Sequence, residues 1–399
     1  MRSGSLMTGT YGSAGVAPSR TSVRVAGSTD GLARRRTPVT GPRTIGDLDL
    51  ANAVWRGKGD RLTLRVGVLG TGNIFERGYL PALADTGAIQ VTAVCDLDPA
   101  RAAAAAARLG GVRVIESPES LVALDDIDAV FVLTPTHTHA DLAIAALECG
   151  KHVLCEKPMA RSVADARRMT ASAVAMGRRL MIGHSRRFDD RWTLIDEQIR
   201  AGRIGDPVYV FRSEHAWNGA PAEGWQWRDD QSGGVLWDVG IHAAELIGWY
   251  LGGRPRTAFA KVLRTRPEAT AGGGPDAAVV TFDYGPSRHA VLSVSWFHPP
   301  AWGPFYATTE VVGTGGKIEA HDRDSHPATV VVDGLEIPRH SPLLSAGATT
   351  FRNEVEHFAA AVESGAPFAI GVDDALTAVE MIEAAERSAR SGRPEPVAP

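Results

Sequence analysis

The sequence predicts an α/β chain in two parts: a doubly wound parallel sheet, then an α+β region whose sheet is mostly antiparallel. Three observations carry this. Apolar β-type runs alternate with helix-like stretches from Leu64 to Ile182, the rhythm changes after about residue 185 to strand-like runs separated by turns, and two helical stretches close the chain. Parallel neighbours need a crossover, usually a helix, whereas consecutive strands joined by turns pair antiparallel.

Residues 1–61 stand apart from this pattern. They are rich in Gly, Ser, Thr, Arg and Pro and show neither helical nor strand periodicity. Such a segment buries too little apolar surface to offset its ordering entropy, so a disordered N-terminal extension is expected. Arg34-Arg35-Arg36 is followed by turn-like Thr37–Pro42 and not by an apolar stretch, so it does not read as an export signal.

The regular pattern opens at Leu64–Leu69 and continues with strands at Val91–Cys95, Ala129–Leu133, His152–Cys155 and Leu180–Ile182. Helices are expected between them at Ile74–Ala84, Pro99–Leu109, Thr138–Cys149 and Ser162–Met176. The strands are almost wholly apolar, as strands covered on both faces must be. Residues 62–185 therefore form the first domain, and 186–399 the second. In the second, helices are expected at Asp190–Ala201 and Leu236–Leu251, the latter stopped by Gly252-Gly253. Strands follow at Thr257–Arg264, Ala277–Asp283, Ala290–Phe297, Tyr306–Val312 and Ala328–Val332, and helices at Phe351–Glu363 and Asp373–Ala389.

Composition narrows the function. Hydrophobic residues are 44% and charged residues 22%, an ordinary globular balance that excludes fibrous and wholly disordered classes. No run of about 18 apolar residues exists to span a bilayer. Residues 1–61 hold ten Lys and Arg against four Asp and Glu, a charge of +6, which leaves −10 for the rest of the net −4. So acidic a body is a poor partner for nucleic acid. Three scattered cysteines (Cys95, Cys149, Cys155) make no disulfide framework and fit a reducing, cytoplasmic setting.

The first strand runs into Gly70-Thr71-Gly72-Asn73-Ile74-Phe75. Gly70 permits a tight turn, and Gly72 lets backbone amides, including those at Asn73 and Ile74, approach a pyrophosphate at a helix N-terminus. Asp96 ends the next strand, 24 residues past Gly72, where a carboxylate bonds the 2′-hydroxyl of an adenosine ribose. That carboxylate would repel a 2′-phosphate, so NAD is expected over NADP. Phe75 stands where the fingerprint usually has Gly or Ala, which implies a wider helix–strand contact.

The strand Ala129–Leu133 opens into Thr134-Pro135-Thr136-His137-Thr138-His139, at the carboxyl end of a central strand, where ligands of such sheets sit. No Cys or carboxylate cluster accompanies the two histidines, so no metal is expected. The strand His152–Cys155 ends in Cys155-Glu156-Lys157-Pro158. A lysine there would point into the same crevice and could stabilise a developing alkoxide, although Glu156 and Lys157 alone equally fit a surface ion pair. In the second domain, Asp238 and His242 are four residues apart on a helical stretch, which puts them on one face. A carboxylate beside an imidazole can orient it, giving a general acid/base near neutral pH. The competing view makes Asp238 a helix-dipole partner and His242 a core residue.

Gly70–Pro81, Thr134–Pro158 and Gly233–Leu246 together resemble the Gfo/Idh/MocA family, which includes glucose–fructose oxidoreductase and inositol 2-dehydrogenase. The likeness continues through Gly313–Lys317 to Ser391-Gly392 and spans about residues 64–395. It implies a Rossmann domain and a second domain with a mostly antiparallel open sheet, often used to oligomerise. It also implies Lys157, Asp238 and His242 as the catalytic set, with Thr134, Pro135 and His139 lining the cofactor crevice beside Glu156. Thr136 and Glu245 depart from the family's usual Asn and Asp.

Ser213–Trp237 holds Trp217, Trp225, Trp227 and Trp237. Indole faces beside polar groups suit a polyhydroxylated ring, and packing suits them equally. Trp225 is the candidate substrate contact, and Arg187, after the strand Leu180–Ile182, is another. The leading expectation is a nicotinamide-dependent dehydrogenase of a sugar or cyclitol, working as a homo-oligomer. The alternatives are a glycosidase using NAD transiently and a non-catalytic NAD(P)-binding sensor or scaffold.

Overall fold

Six strands lie side by side in parallel, all but the short edge strand Arg113–Val114 strongly apolar. The computed structural model describes residues 63–298, 305–323, 326–332, 335–338 and 343–397; the extension expected at 1–61 lies outside the described residues. The strands are β1 (Leu64–Leu69), β2 (Ile89–Cys95), β3 (Arg113–Val114), β4 (Ala129–Val132), β5 (His152–Glu156) and β6 (Leu180–Gly183), in the order β3-β2-β1-β4-β5-β6. The order reverses between β1 and β4, and a crevice outside the strand ends follows from that reversal. The connecting helices are α1 (Leu80–Ala84), α2 (Pro99–Arg108), α3 (Pro118–Val122), α4 (His139–Glu148) and α5 (Val163–Met176). Asp98 caps α2 by accepting from Ala100 N at 2.9 Å, and Ser162 caps α5 by accepting from Asp165 N at 3.0 Å. A wide π-turn, Phe75–Tyr79, precedes α1 and buries Phe75 completely, so the bulky fingerprint residue is met by a widened helix start.

The second part contributes α6 (Asp190–Arg200), β7 (Pro207–Ala216), α7 (Gly234–Asp238), α8 (Gly240–Leu251), β8 (Thr257–Leu263), α9 (Pro267–Gly272), β9 (Ala277–Asp283), β10 (His289–Ser295), β11 (Phe305–Gly313), β12 (Lys317–Arg323), β13 (His326–Val332), β14 (Leu335–Pro338), α10 (Leu343–Ser364), α11 (Val372–Ser391) and β15 (Glu395–Pro396). The sheet order is β14-β13-β12-β11-β7-β10-β9-β8-β15. Its pairs are antiparallel except β7 with β10, which is parallel. Strand β7, central to the sheet, is absent from the sequence expectations because Arg212 and Glu214 interrupt its apolar pattern. Both side chains are buried: Arg212 donates to Glu214 at 2.9 Å and Thr309 at 2.5 Å, and lies 4.2 Å over the Trp192 ring.

The closing helices return to the first sheet. Phe351 of α10 packs on Tyr79 (ring centroids 5.0 Å), and Phe358 packs on Phe131 (5.6 Å). From α11, Glu380 pairs with Arg167 at 3.0 Å, and Glu383 accepts from Val163 N at 3.1 Å. These contacts clamp both domains around the ends of β4, β5 and β6.

Candidate active site

The tight turn after β1 has Gly70 at φ +90°, where a Cβ would lie 2.7 Å from the Leu133 carbonyl oxygen. Only glycine fits. Around Gly72 no heavy atom lies within 4 Å of where a Cβ would be, which leaves the backbone open to a bulky anion; Asn73 is exposed and Ile74 half-buried beside it. Asp96 Oδ2 accepts from Thr71 N (2.7 Å) and Thr71 Oγ1 (3.0 Å), while Oδ1 accepts from Asp98 N (2.9 Å). These bonds fix a carboxylate at the rim of the glycine turn, and the residues present fit a dinucleotide.

On the far side, Thr134 and Pro135 are half-buried, and Thr138 Oγ1 holds their loop by donating to Pro135 O at 2.7 Å. His139 is buried, with Nδ1 2.8 Å from Pro158 O and Nε2 2.8 Å from Thr134 O. Both nitrogens lie against backbone carbonyls, to only one of which a neutral ring can donate, so His139 ties the β4 loop to the Glu156-Lys157-Pro158 turn and presents neither nitrogen to the crevice.

Glu156 is buried. Its Oε2 accepts from Lys157 N (2.9 Å), and its Oε1 lies 3.0 Å from Tyr79 Oη, which is 3.2 Å from Glu354 Oε2. A phenol has one proton to give, so the second bond is filled when a carboxyl keeps its own proton. Burial, reinforced by the Glu156 charge, holds the Glu354 carboxyl well above the usual range.

The lysine crosses between domains. Lys157 Nζ donates to Asp238 Oδ1 at 2.9 Å and to the Asp238 carbonyl at 3.1 Å. The single expected helix Leu236–Leu251 is accordingly two, broken at Val239, with the Asp238 carbonyl turned to the ammonium. This corrects the expected pairing of Asp238 with His242. The carboxylate is taken by a cation, and Nδ1 of His242 is buried without a hydrogen-bond partner among the described residues. The half-buried His242 is held well below the usual imidazole range, first by burial and then by the positive field of Arg186, Lys157 and Arg212.

Arg187 also departs from expectation. Its Nε donates to the buried Glu245 at 2.5 Å and its guanidinium lies 4.0 Å over Trp249, so the group is engaged in packing between α8 and its own turn. Among the tryptophans, Trp227 is buried edge-on to Trp296 (5.0 Å) and Trp237 is buried beneath Arg161 (4.2 Å), while Trp225 is half-buried. Sequence reasoning missed Tyr79, His184, Arg186, Glu214 and Glu354. For Glu354 a signal existed: it sits on the apolar face formed by Phe351, Val355 and Phe358. No group of metal-ligating side chains exists among the described residues, and none of their helices is long and apolar enough to cross a membrane.

The chain is similar to known proteins along most of its length. Residues 64–184 match the GFO/IDH/MocA oxidoreductase family with an NAD-binding Rossmann fold, and residues 192–319 match that family's C-terminal domain. An inositol 2-dehydrogenase of Rhizobium meliloti (strain 1021) is 32% identical over 342 residues, covering 83% of this chain and 98% of its own length. A 1,5-anhydro-D-fructose reductase of Ensifer adhaerens is 34% identical over 198 residues, which are 49% of this chain and 59% of the reductase. The crystal structure of GenD2 from gentamicin A biosynthesis, in complex with NAD, has a TM-score of 0.75 at 26% identity, covering 86% of this chain and 98% of its own.

Proposed function

The chain belongs to the GFO/IDH/MocA family of NAD-binding oxidoreductases, and on that premise we propose that it oxidises a ring polyol with Lys157, Asp238 and His242 as its catalytic residues. Bound NAD supplies the hydride acceptor. The bond that carries the reading is the one between Lys157 Nζ and Asp238 Oδ1 at 2.9 Å, which joins the two domains beside His242.

His242 accepts the hydroxyl proton. Its Nδ1 is buried, which leaves Nε2 for the substrate, and its surroundings keep the ring neutral and able to accept. Lys157 stabilises the alkoxide that forms as the proton leaves. Asp238 holds the ammonium in place. Gly70, Gly72, Asn73 and Ile74 cradle the pyrophosphate, Thr134, Pro135 and Glu156 frame the nicotinamide side, and Trp225 offers an apolar face to the ring. Asp96 supports NAD over NADP, and the nearby Arg101 is itself paired with Asp98 at 3.4 Å. Self-association is supported by the outer face of the second sheet, where Phe259 (44%), Leu263 (47%) and Val279 (48%) stay exposed. A cytoplasmic setting is consistent with free, partly buried cysteines.

The test is a panel of cyclitols and sugars, myo-inositol included, with NAD, read by reduced-nicotinamide absorbance. Turnover of a ring polyol is expected. Release of free sugar from glycosides without net reduction would instead favour a glycosidase, and NAD binding with no turnover of any kind would favour a sensor.

A further inference from the structure

His184 follows β6 at the same edge of the sheet as Lys157, since Gly183 pairs with Glu156. It is 1% exposed, and neither ring nitrogen has a hydrogen-bond partner among the described residues. Other buried or half-buried histidines are engaged: His139 meets two carbonyls, His215 meets Ser295 at 2.8 Å, and His357 accepts from Ala369 N at 2.9 Å. Buried polar atoms are normally satisfied, so two free nitrogens on one ring need a reason. The ring of His184 meets that of His242 edge-on, with centroids 6.2 Å apart and planes at 86°. Nδ1 of His242 is also buried without a hydrogen-bond partner among the described residues.

Resting on His242 as the base, we propose that His184 is its positioning residue: it accepts a hydrogen bond from Nδ1–H of His242 and so leaves Nε2 bare toward the substrate hydroxyl. Asp238, whose Oδ1 holds Lys157, makes no hydrogen bond to His242. A neutral imidazole has one donor and one acceptor nitrogen, and the bond made at one nitrogen decides the tautomer. The charged and titratable groups facing His184 are Lys157, Arg186, Arg187 and His242; those facing His242 are Lys157, Arg186, Arg212 and His184. Two anions share the helical stretch of His242, Asp238 with its Oδ1 on Lys157 and Glu245 on Arg187; burial and the cations bring His184 down to about 3, so it stays a neutral acceptor. In the oxidation, the hydroxyl proton moves to Nε2 of His242, the C–H electron pair and hydrogen leave as hydride to NAD, and a carbonyl forms. His242 then carries the charge, and its bond to His184 strengthens as a charge-assisted one. At 6.2 Å between centroids the rings are not yet bonded, so the bond requires them to approach by about 1 Å when the site is loaded.

Two measurements on the full chain test this. The first is 15N NMR of histidine-labelled protein with NAD, His242 being assigned by comparison with His242→Gln. Wild type should show Nδ1–H, and His184→Phe should convert it to Nε2–H; an unchanged tautomer overturns the proposal. The second is kcat on myo-inositol, or on whichever panel polyol is oxidised. His184→Phe should lower kcat about 10- to 100-fold and move the acid limb of its pH profile down, with the KM for NAD unchanged. His184→Gln, whose amide oxygen can accept, should recover most of the loss. Equal kcat in wild type and His184→Phe, or equal losses in the Phe and Gln variants, overturns it. A wild type that oxidises no polyol would defeat the functional reading alone, and the tautomer measurement would still decide the role of His184.

Discussion

Asp238 and His242 show how far spacing alone can speak. Four residues apart predicts a shared face, but it does not say which neighbour wins the carboxylate. An ammonium brought in by the other domain is the stronger partner, and it takes both the side chain and the carbonyl of Asp238. Asp238→Asn keeps an acceptor oxygen and removes the charge, so kcat should fall by about 10- to 100-fold while the Kd for NAD stays near wild type. Steady-state kinetics beside a fluorescence titration of NAD checks both halves; a matching loss of NAD affinity would place Asp238 in cofactor binding instead. At Asp96, held by Thr71 and the Asp98 amide, the carboxylate should give NAD the higher kcat/KM and Asp96→Ala should narrow the gap to NADP. Equal kcat/KM for the two cofactors in wild type would contradict that.

At the scale of elements, α10 carries a second lesson. Glu354 is fully buried on its apolar face and shares the Tyr79 hydroxyl with Glu156. Its folded-state value is raised, so the stability its proton contributes is complete below the ordinary 4.5 and is lost as pH rises through the raised value. Glu354→Gln has no proton to lose. The Tm of the variant relative to wild type should therefore grow as pH rises from about 4.5 through the raised value and then level off, reaching about 2–4 °C for each ~1 kcal/mol relieved. A gap that shrinks with pH would reverse the assignment. Strands β1 and β9 match their sequence expectations end to end because their patterns are uninterrupted. β3 and α3 escaped because two and five residues are too short to show a period. β7 escaped because Arg212 and Glu214 occupy its inward positions, and i, i+2 charges on a strand read as solvent-facing until a partner such as Arg186 is known to meet them. For the same reason the lysine turn and the Asp-x-Gly-x-His helix were legible as motifs, whereas His184, a lone histidine after a strand, carried no pattern at all.

At the scale of the molecule, the proposed site draws on both parts of the chain. The first supplies the glycine turn, Asp96 and Lys157, the second supplies Asp238 and His242, and α10 and α11 fasten the two together. The outer sheet face has its own consequence: Leu263→Glu with Val279→Glu should lower the mass seen by light scattering toward one chain, and an unchanged mass would put any interface elsewhere. The central claim is that Lys157 and His242 meet across the domain boundary to handle one alcohol. Turnover of Lys157→Ala and His242→Ala on the polyol oxidised by wild type, at saturating NAD, tests it most directly. The account predicts that each falls by roughly two to four orders of magnitude, the worth of a positioned acid/base or charge stabiliser, with NAD still bound by His242→Ala. Near-normal turnover in both would contradict it.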